Sequence, residues 1–197
     1  YGNSKGLNDE KASEYLEKYG ENILISKKKK SVASKYAKYL YLAFSVLVVV
    51  MAFLPFVISK SDNSSDVTYT GFEVAFGKTL NSASFLGFAS GSAKINMSYL
   101  LIVALFIPLV GSVIALFVKN RKLASLVVCV CFIVSAILVF MTPTITSVTY
   151  TGEVFGFGST NTETFAYAGY SLAVGSILSG VFGALGGVTA LANLILK

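Results

Sequence analysis

Four long apolar windows alternate with polar stretches along the chain, at residues 39–58, 97–118, 123–142 and 167–196, and none contains Asp, Glu, Lys, Arg or His. Each is long enough to cross about 30 Å of hydrocarbon, which needs roughly 20 apolar residues as helix. Backbone polar groups in lipid must be satisfied within the segment, so these windows predict helices. The pattern is that of an all-α membrane protein: a four-transmembrane-helix bundle built from two duplicated hairpins, with short β-strands in the two extracytoplasmic loops. Pro55 and Pro108 predict kinks in the first and second helices.

The links between windows carry a repeat. Val67-Thr68-Tyr69-Thr70-Gly71 recurs as Val148-Thr149-Tyr150-Thr151-Gly152, and Phe76-Gly77 recurs as Phe157-Gly158 in the same gap-free register. Val, Thr and Tyr favour extended structure, and Gly71 and Gly152 then permit a turn or bulge. Both copies follow one apolar window and precede the next, so the unit is a hairpin present twice, with its pseudo-axis along the membrane normal. The expectation is that the two copies pair in one small sheet that clamps the hairpins. Aromatic residues around the repeats, and Phe85-Leu86-Gly87-Phe88, suit a membrane-interface belt.

Charge orients this plan. Lys27, Lys28, Lys29, Lys30, Lys35 and Lys38 precede the first window; Lys119, Arg121 and Lys122 fill the link between the second and third. The positive-inside bias then places both termini and that link in the cytoplasm. Three parts result: a cytosolic helix and polybasic linker at residues 1–36, a hairpin at 37–118 with outer loop 59–96, and a hairpin at 119–197 with outer loop 143–166. Lys27–Lys30 would also lie against anionic lipid of the inner leaflet. The net charge of +6 is therefore topological and implies no nucleic acid.

Composition agrees: 54% hydrophobic and 13% charged, with mean hydropathy +0.70, is a membrane composition. With no histidine and two cysteines, no metal or cofactor site and no His-dependent catalytic set is expected. Cys129 and Cys131 stand two apart on one helix and point to different faces. Asn63-Ser64-Ser65 and Asn96-Met97-Ser98 are glycosylation acceptors only in a eukaryotic secretory setting.

The first residues are different material. Asn8 caps a predicted helix opening with Asp9 and Glu10, its Ala12, Tyr15, Leu16 and Tyr19 at helical spacing and Gly20 as stop. Gly6-Leu7, Ala12, Leu16, Tyr19-Gly20 and Asn22, followed by Lys27–Lys30 and Ser31, resemble the N-terminal module of cation-transporting P-type ATPases over about thirty residues. The resemblance implies a borrowed cytosolic docking or regulatory helix. The family's Asp-Lys-Thr-Gly-Thr motif is absent; Thr151-Gly152-Glu153 resembles its Thr-Gly-Glu-Ser motif, but Val154 replaces the serine.

Small residues mark the last window. Gly175, Ser179, Gly183 and Gly187 fall four apart, with Ser176, Gly180 and Ala184 alongside, a ridge that lets helix backbones approach closely. It serves packing within the bundle or a homo-oligomer. No intramembrane acid or base marks an ion path. The reading is a non-catalytic polytopic protein of the bacterial cell membrane, an accessory, scaffold or assembly subunit with a membrane-protein partner; the alternative is a small oligomeric channel or transporter for a neutral or apolar solute. Tyr1 in place of Met leaves room for an upstream domain.

Overall fold

The computed structural model describes residues 8–19, 32–59, 66–85 and 89–195. The chain divides into two compact units, residues 1–31 and 32–197. In the first, helix α1 (Asp9–Tyr19) has Asp9 and Glu10 in its first turn and Lys18 in its last, each favourable to the helix dipole.

The second unit is a bundle of α2 (Val32–Met51), α4 (Tyr99–Phe117), α5 (Arg121–Phe140) and α7 (Val174–Ile195), carrying strands at one end. Packed neighbours run in the cycle α2, α4, α5, α7 and back to α2. Helices α4, α5 and α7 are long and apolar enough to span a membrane. The apolar part of α2 is shorter, Tyr36–Met51.

Two window boundaries need correction. The first window continues to residue 58, but α2 ends at Met51 and the chain enters strand β1 (Pro55–Ser59). Pro55 therefore kinks nothing: the residue before a proline is steered away from helix, and proline is tolerated at the first position of a strand. Phe56 and Val57 stay fully buried as strand residues in the core. The fourth window likewise opens with strand β7 (Tyr170–Leu172), and α7 starts only at Val174. Pro108, by contrast, lies inside α4 and is buried.

Two sheets cap the bundle. One orders β2 (Val67–Thr70), β1 and β7; the other orders β3 (Lys78–Phe85), β4 (Ala89–Ile95), β5 (Ser147–Val154) and β6 (Phe157–Thr164). The links do clamp each other, through β1 with β7 and β4 with β5. The repeat copies do not: β2 lies in the first sheet and β5 in the second, so Tyr69 stands opposite Val57 while Tyr150 stands opposite Ala93 and Asn161.

The identical pentapeptides diverge because their C-terminal neighbours differ. After Thr70 comes Gly71-Phe72-Glu73, which places Glu73 three residues beyond a threonine and closes a capping box on short helix α3 (Gly71–Phe76). In that box Glu73 N–H donates to Thr70 Oγ1 at 3.3 Å, and Thr70 N–H donates to Glu73 Oε2 at 2.9 Å. After Thr151 the glutamate arrives one position early, as Glu153, and the strand runs on to Val154. Gly71 is buried, where a Cβ would meet that of Ala52 at 2.8 Å; on Gly152 a Cβ would meet nothing within 4 Å among the described residues.

Helix α7 packs through its small residues. A Cβ on Gly175 would lie 2.7 Å from the Pro55 carbonyl oxygen, and one on Gly180 would lie 2.5 Å from the Phe140 ring. Ser179 Oγ donates to the Val48 carbonyl of α2 at 3.2 Å. Gly183 has only ordinary contact with Ala136, at 3.4 Å from a built Cβ. The tightest approach is at Gly186, outside the four-apart ridge, where a Cβ would overlap the buried Phe132 ring. Ser179, Gly183, Gly186 and Ala190 thus form a 4-3-4 row of buried positions.

Gly186→Ala should therefore destabilise the bundle by about 1–3 kcal/mol through overpacking, whereas Gly183→Ala should be neutral or slightly stabilising. Thermal unfolding in detergent compares them; equal midpoints would contradict the packing described.

Candidate functional site

Two polar constellations and one groove stand out in the 32–197 unit. At the strand-free end, α5 opens on Asn120, whose Oδ1 accepts from the N–H of Lys122 at 3.1 Å and of Leu123 at 3.4 Å. Arg121 then reaches inward to α7: its Nε donates to Asn193 Oδ1 at 2.9 Å, and its Nη2 donates to the same oxygen. Asn193 Nδ2 in turn donates to Tyr41 Oη at 2.7 Å and to Ser125 Oγ at 2.8 Å, which themselves meet at 3.2 Å. Three helices are thereby tied by one amide. Lys38 joins the fourth by donating to the carbonyls of Leu116, in the last turn of α4, at 3.3 Å and of the C-cap residue Val118 at 2.9 Å, a cation at a helix C-terminus.

Most of the buried hydroxyls further along are spent on backbone. Ser135 Oγ donates to the Ala104 carbonyl at 2.6 Å, and Ser176 Oγ to that of Ala173 at 2.8 Å. Ser112 Oγ is buried with no hydrogen-bond partner among the described residues.

At the strand-bearing end, Lys78 Nζ meets Glu73 Oε1 at 2.5 Å. The Lys78 ammonium, with the Thr70 backbone N–H, holds the Glu73 carboxyl below its ordinary range. Tyr170 packs its ring against Phe165 at 4.8 Å and Tyr69 at 5.8 Å. Burial, and then the neighbouring Tyr69 hydroxyl, push the Tyr170 phenol up to about 12. Burial followed by the fields of Tyr170 and Glu163 raises Tyr150 as well. Tyr69 thus packs against Tyr170, and the field of Tyr170 reaches Tyr150 in the other sheet. Asn96 is occupied here too: its Nδ2 donates to Ser147 Oγ at 3.0 Å and Thr149 Oγ1 at 2.8 Å, which leaves the amide unsuited to carry a glycan.

Between α5 and α7 a groove of about 400 Å³ is lined by Cys129, Ile133, Ala136, Ile137, Phe140, Ala184, Gly187, Val188 and Leu191. Cys129 faces this groove, whereas Cys131 faces Gly111 of α4, so the two thiols do look in different directions.

The other repeat residues scatter. Val148 is buried in the core; Val67, Phe76 and Phe157 are exposed. Phe76 stacks on Phe72 with centroids 6.2 Å apart. Gly77, at φ +83, ends α3 against the Ile95 carbonyl, whereas a Cβ on Gly158 would meet nothing within 4 Å among the described residues. Lys27–Lys30 lie outside the described residues. Sequence reasoning counted Arg121 and Lys38 as topological charge; their joint role with Asn193 needed the helix arrangement. Gly186 was legible, since Gly183, Gly186 and Ala190 keep the 3-4 spacing of a helix seam.

Residues 2–54 match the family model described as "Cation transporter/ATPase, N-terminus". The N-terminal module thus resembles that of the P-type ATPases, and the match runs past the basic segment through α2 to the turn before β1, further than the thirty residues legible in the sequence. No curated protein and no solved structure matches the chain at a significant level.

Both polar constellations can be tested by substitution. Asn193→Leu leaves Tyr41, Ser125 and Arg121 without their shared partner and should cost about 1–3 kcal/mol; thermal unfolding in detergent reads it, and an unchanged midpoint would show the knot to be incidental. For Tyr170, a phenol held neutral in the folded state contributes stability that is present below the ordinary value of 10.0 and lost as pH rises from there towards about 12. Tyrosinate absorbance should show a late step that is missing from Tyr170→Phe.

Proposed function

We propose that this chain is a non-catalytic, four-span membrane protein working as an accessory, scaffold or assembly subunit. The observation that carries the reading is the match of residues 2–54 to the N-terminus of cation-transporting ATPases, joined to a bundle whose sequence lacks the Asp-Lys-Thr-Gly-Thr motif. An ATPase-type N-terminal segment without the catalytic apparatus is suited to docking or regulation. Helix α2 serves as the fourth span because it packs against both α4 and α7 and because Lys38 grips the end of α4.

In this reading the basic ends of α2 and α5 face the cytoplasm of a bacterial cell, α1 is a cytosolic docking helix and the sheets face outward. The bilayer is the first partner, and a membrane protein or a second copy the next. The bound hydroxyls of Ser135, Ser176 and Ser179 argue against a continuous polar path for a solute.

The full chain purified from its native membrane should carry a partner in fixed stoichiometry, and Leu16→Glu on exposed α1 should reduce that partner at least tenfold. Solute-dependent flux by the purified chain in liposomes would overturn the accessory reading in favour of a channel or transporter.

A further inference from the structure

Two helices of the bundle each leave one backbone carbonyl without its usual donor, and in both cases a serine of a neighbouring helix supplies one. In α4, Pro108 has no N–H, so the carbonyl of Ala104, four residues back, lacks the donor that normally closes that turn. Ser135 Oγ of α5 donates to this carbonyl at 2.6 Å. In α2 the chain tightens past the last turn: Ala52 N–H donates to the Val49 carbonyl at 3.1 Å, which leaves Val48 without its donor four residues on. Ser179 Oγ of α7 donates to the Val48 carbonyl at 3.2 Å. Among the described residues, the two serines that cross from one long helix to the backbone of another both land on such a carbonyl.

The Ala104 case lies in the middle of a helix. Ser135 and Ala104 are both buried in protein, so bulk water cannot stand in for the bond. The proline ring also crowds the carbonyl four residues back, and helices bend at such a point. The two halves of α4 are anchored separately. Beyond the proline, Lys38 of α2 donates to the carbonyls of Leu116 and the C-cap residue Val118. Before it, the N-cap residue Ser98 donates through Oγ to the Ile145 carbonyl at 3.3 Å, and Asn96 Nδ2 donates to Ser147 and Thr149. Helix α5 flanks the joint on both sides. Cys131, one turn before Ser135 on the same stripe, sits so close that a Cβ on Gly111 would meet its Sγ at 2.8 Å.

We propose that α4 is a proline hinge and that Ser135 is the latch holding it in the observed position. With the latch made, the Ala104 carbonyl is satisfied and the two halves of α4 act as one rod. With it released, the strand-side half, residues 99–107 and about 13 Å long, is free to tilt about Pro108. That half continues directly from β4, so the tilt moves the four-stranded sheet against the bundle, while Lys38 keeps the far half on α2. The latch thus couples the placement of the sheet to one hydroxyl inside the bundle. Because both bonded groups are enclosed by protein, it depends neither on the bundle spanning a membrane nor on the accessory role.

A double-mutant cycle between Ser135→Ala and Pro108→Ala tests the latch, in the full chain unfolded by dodecyl sulfate from detergent micelles. P108A returns a backbone N–H to the Ala104 carbonyl, so the serine is no longer needed there. S135A alone should lower the folded-to-unfolded ratio about tenfold, and in the P108A background by no more than about twofold. Ser179→Ala, whose carbonyl belongs to α2, should cost the same in both backgrounds. A loss from S135A that is equal with and without the proline overturns the latch. Because P108A changes packing of its own, hydrogen exchange of S135A alone supplies a second reading. Amides of residues 105–112 should exchange about tenfold faster while those of α7 keep their protection. Exchange that rises alike in all four helices, or not at all, makes Ser135 a packing residue and overturns the hinge.

Discussion

The bundle depends on how closely α7 can approach α5 and α2. Between helices in lipid there is little hydrophobic drive, so association rests on van der Waals contact and interhelical hydrogen bonds. Gly175, Gly180 and Gly186 remove the side chains that would otherwise meet the Pro55 carbonyl, Phe140 and Phe132. Ser179 then reaches the α2 backbone, and at the far end Asn193 reaches Tyr41 and Ser125. Each polar contact needs the backbone spacing that the glycines allow.

The strand-bearing end is a consequence of that seam. Once α2 and α7 lie side by side, the residues just outside them are adjacent, and β1 and β7 pair as their extensions, with the Ala173 N–H donating to the Phe56 carbonyl at 3.0 Å. The β4–β5 pairing similarly joins the strand before α4 to the strand after α5. The two links are therefore held together by pairings between their outermost strands, and the polar knot at the other end closes the same four helices. A structure tied at both ends and close-packed between them is suited to presenting surfaces, which accords with the accessory role proposed.

Much of this was legible. The apolar windows gave the long helices, the Lys119–Lys122 link gave the tight turn between α4 and α5, and the Gly-Leu and Tyr-Gly-x-Asn pattern gave the ATPase-like N-terminus. What the windows could not give was where a helix stops within an apolar run. Phe56 and Val57 are as hydrophobic as the residues of α2, and hydropathy reads them as its continuation; Pro55 was the available signal of a change to strand. The polar knot was illegible for a different reason, since Lys38, Tyr41, Arg121, Ser125 and Asn193 are far apart in the chain and carry no common spacing.

The repeated pentapeptide separates the two sources of information most clearly. By itself the sequence determined that Val-Thr-Tyr-Thr would be extended in both places, because β-branched and aromatic side chains favour that backbone wherever they stand. It also held the difference between the copies, a glutamate three residues after Thr70 and two after Thr151, which sets a helix cap in one and continues a strand in the other. Only the tertiary structure decided which strands these would join. A strand's partners are fixed by which helix ends lie beside it, and that neighbourhood is created by the packing of α7 against α2 and α5.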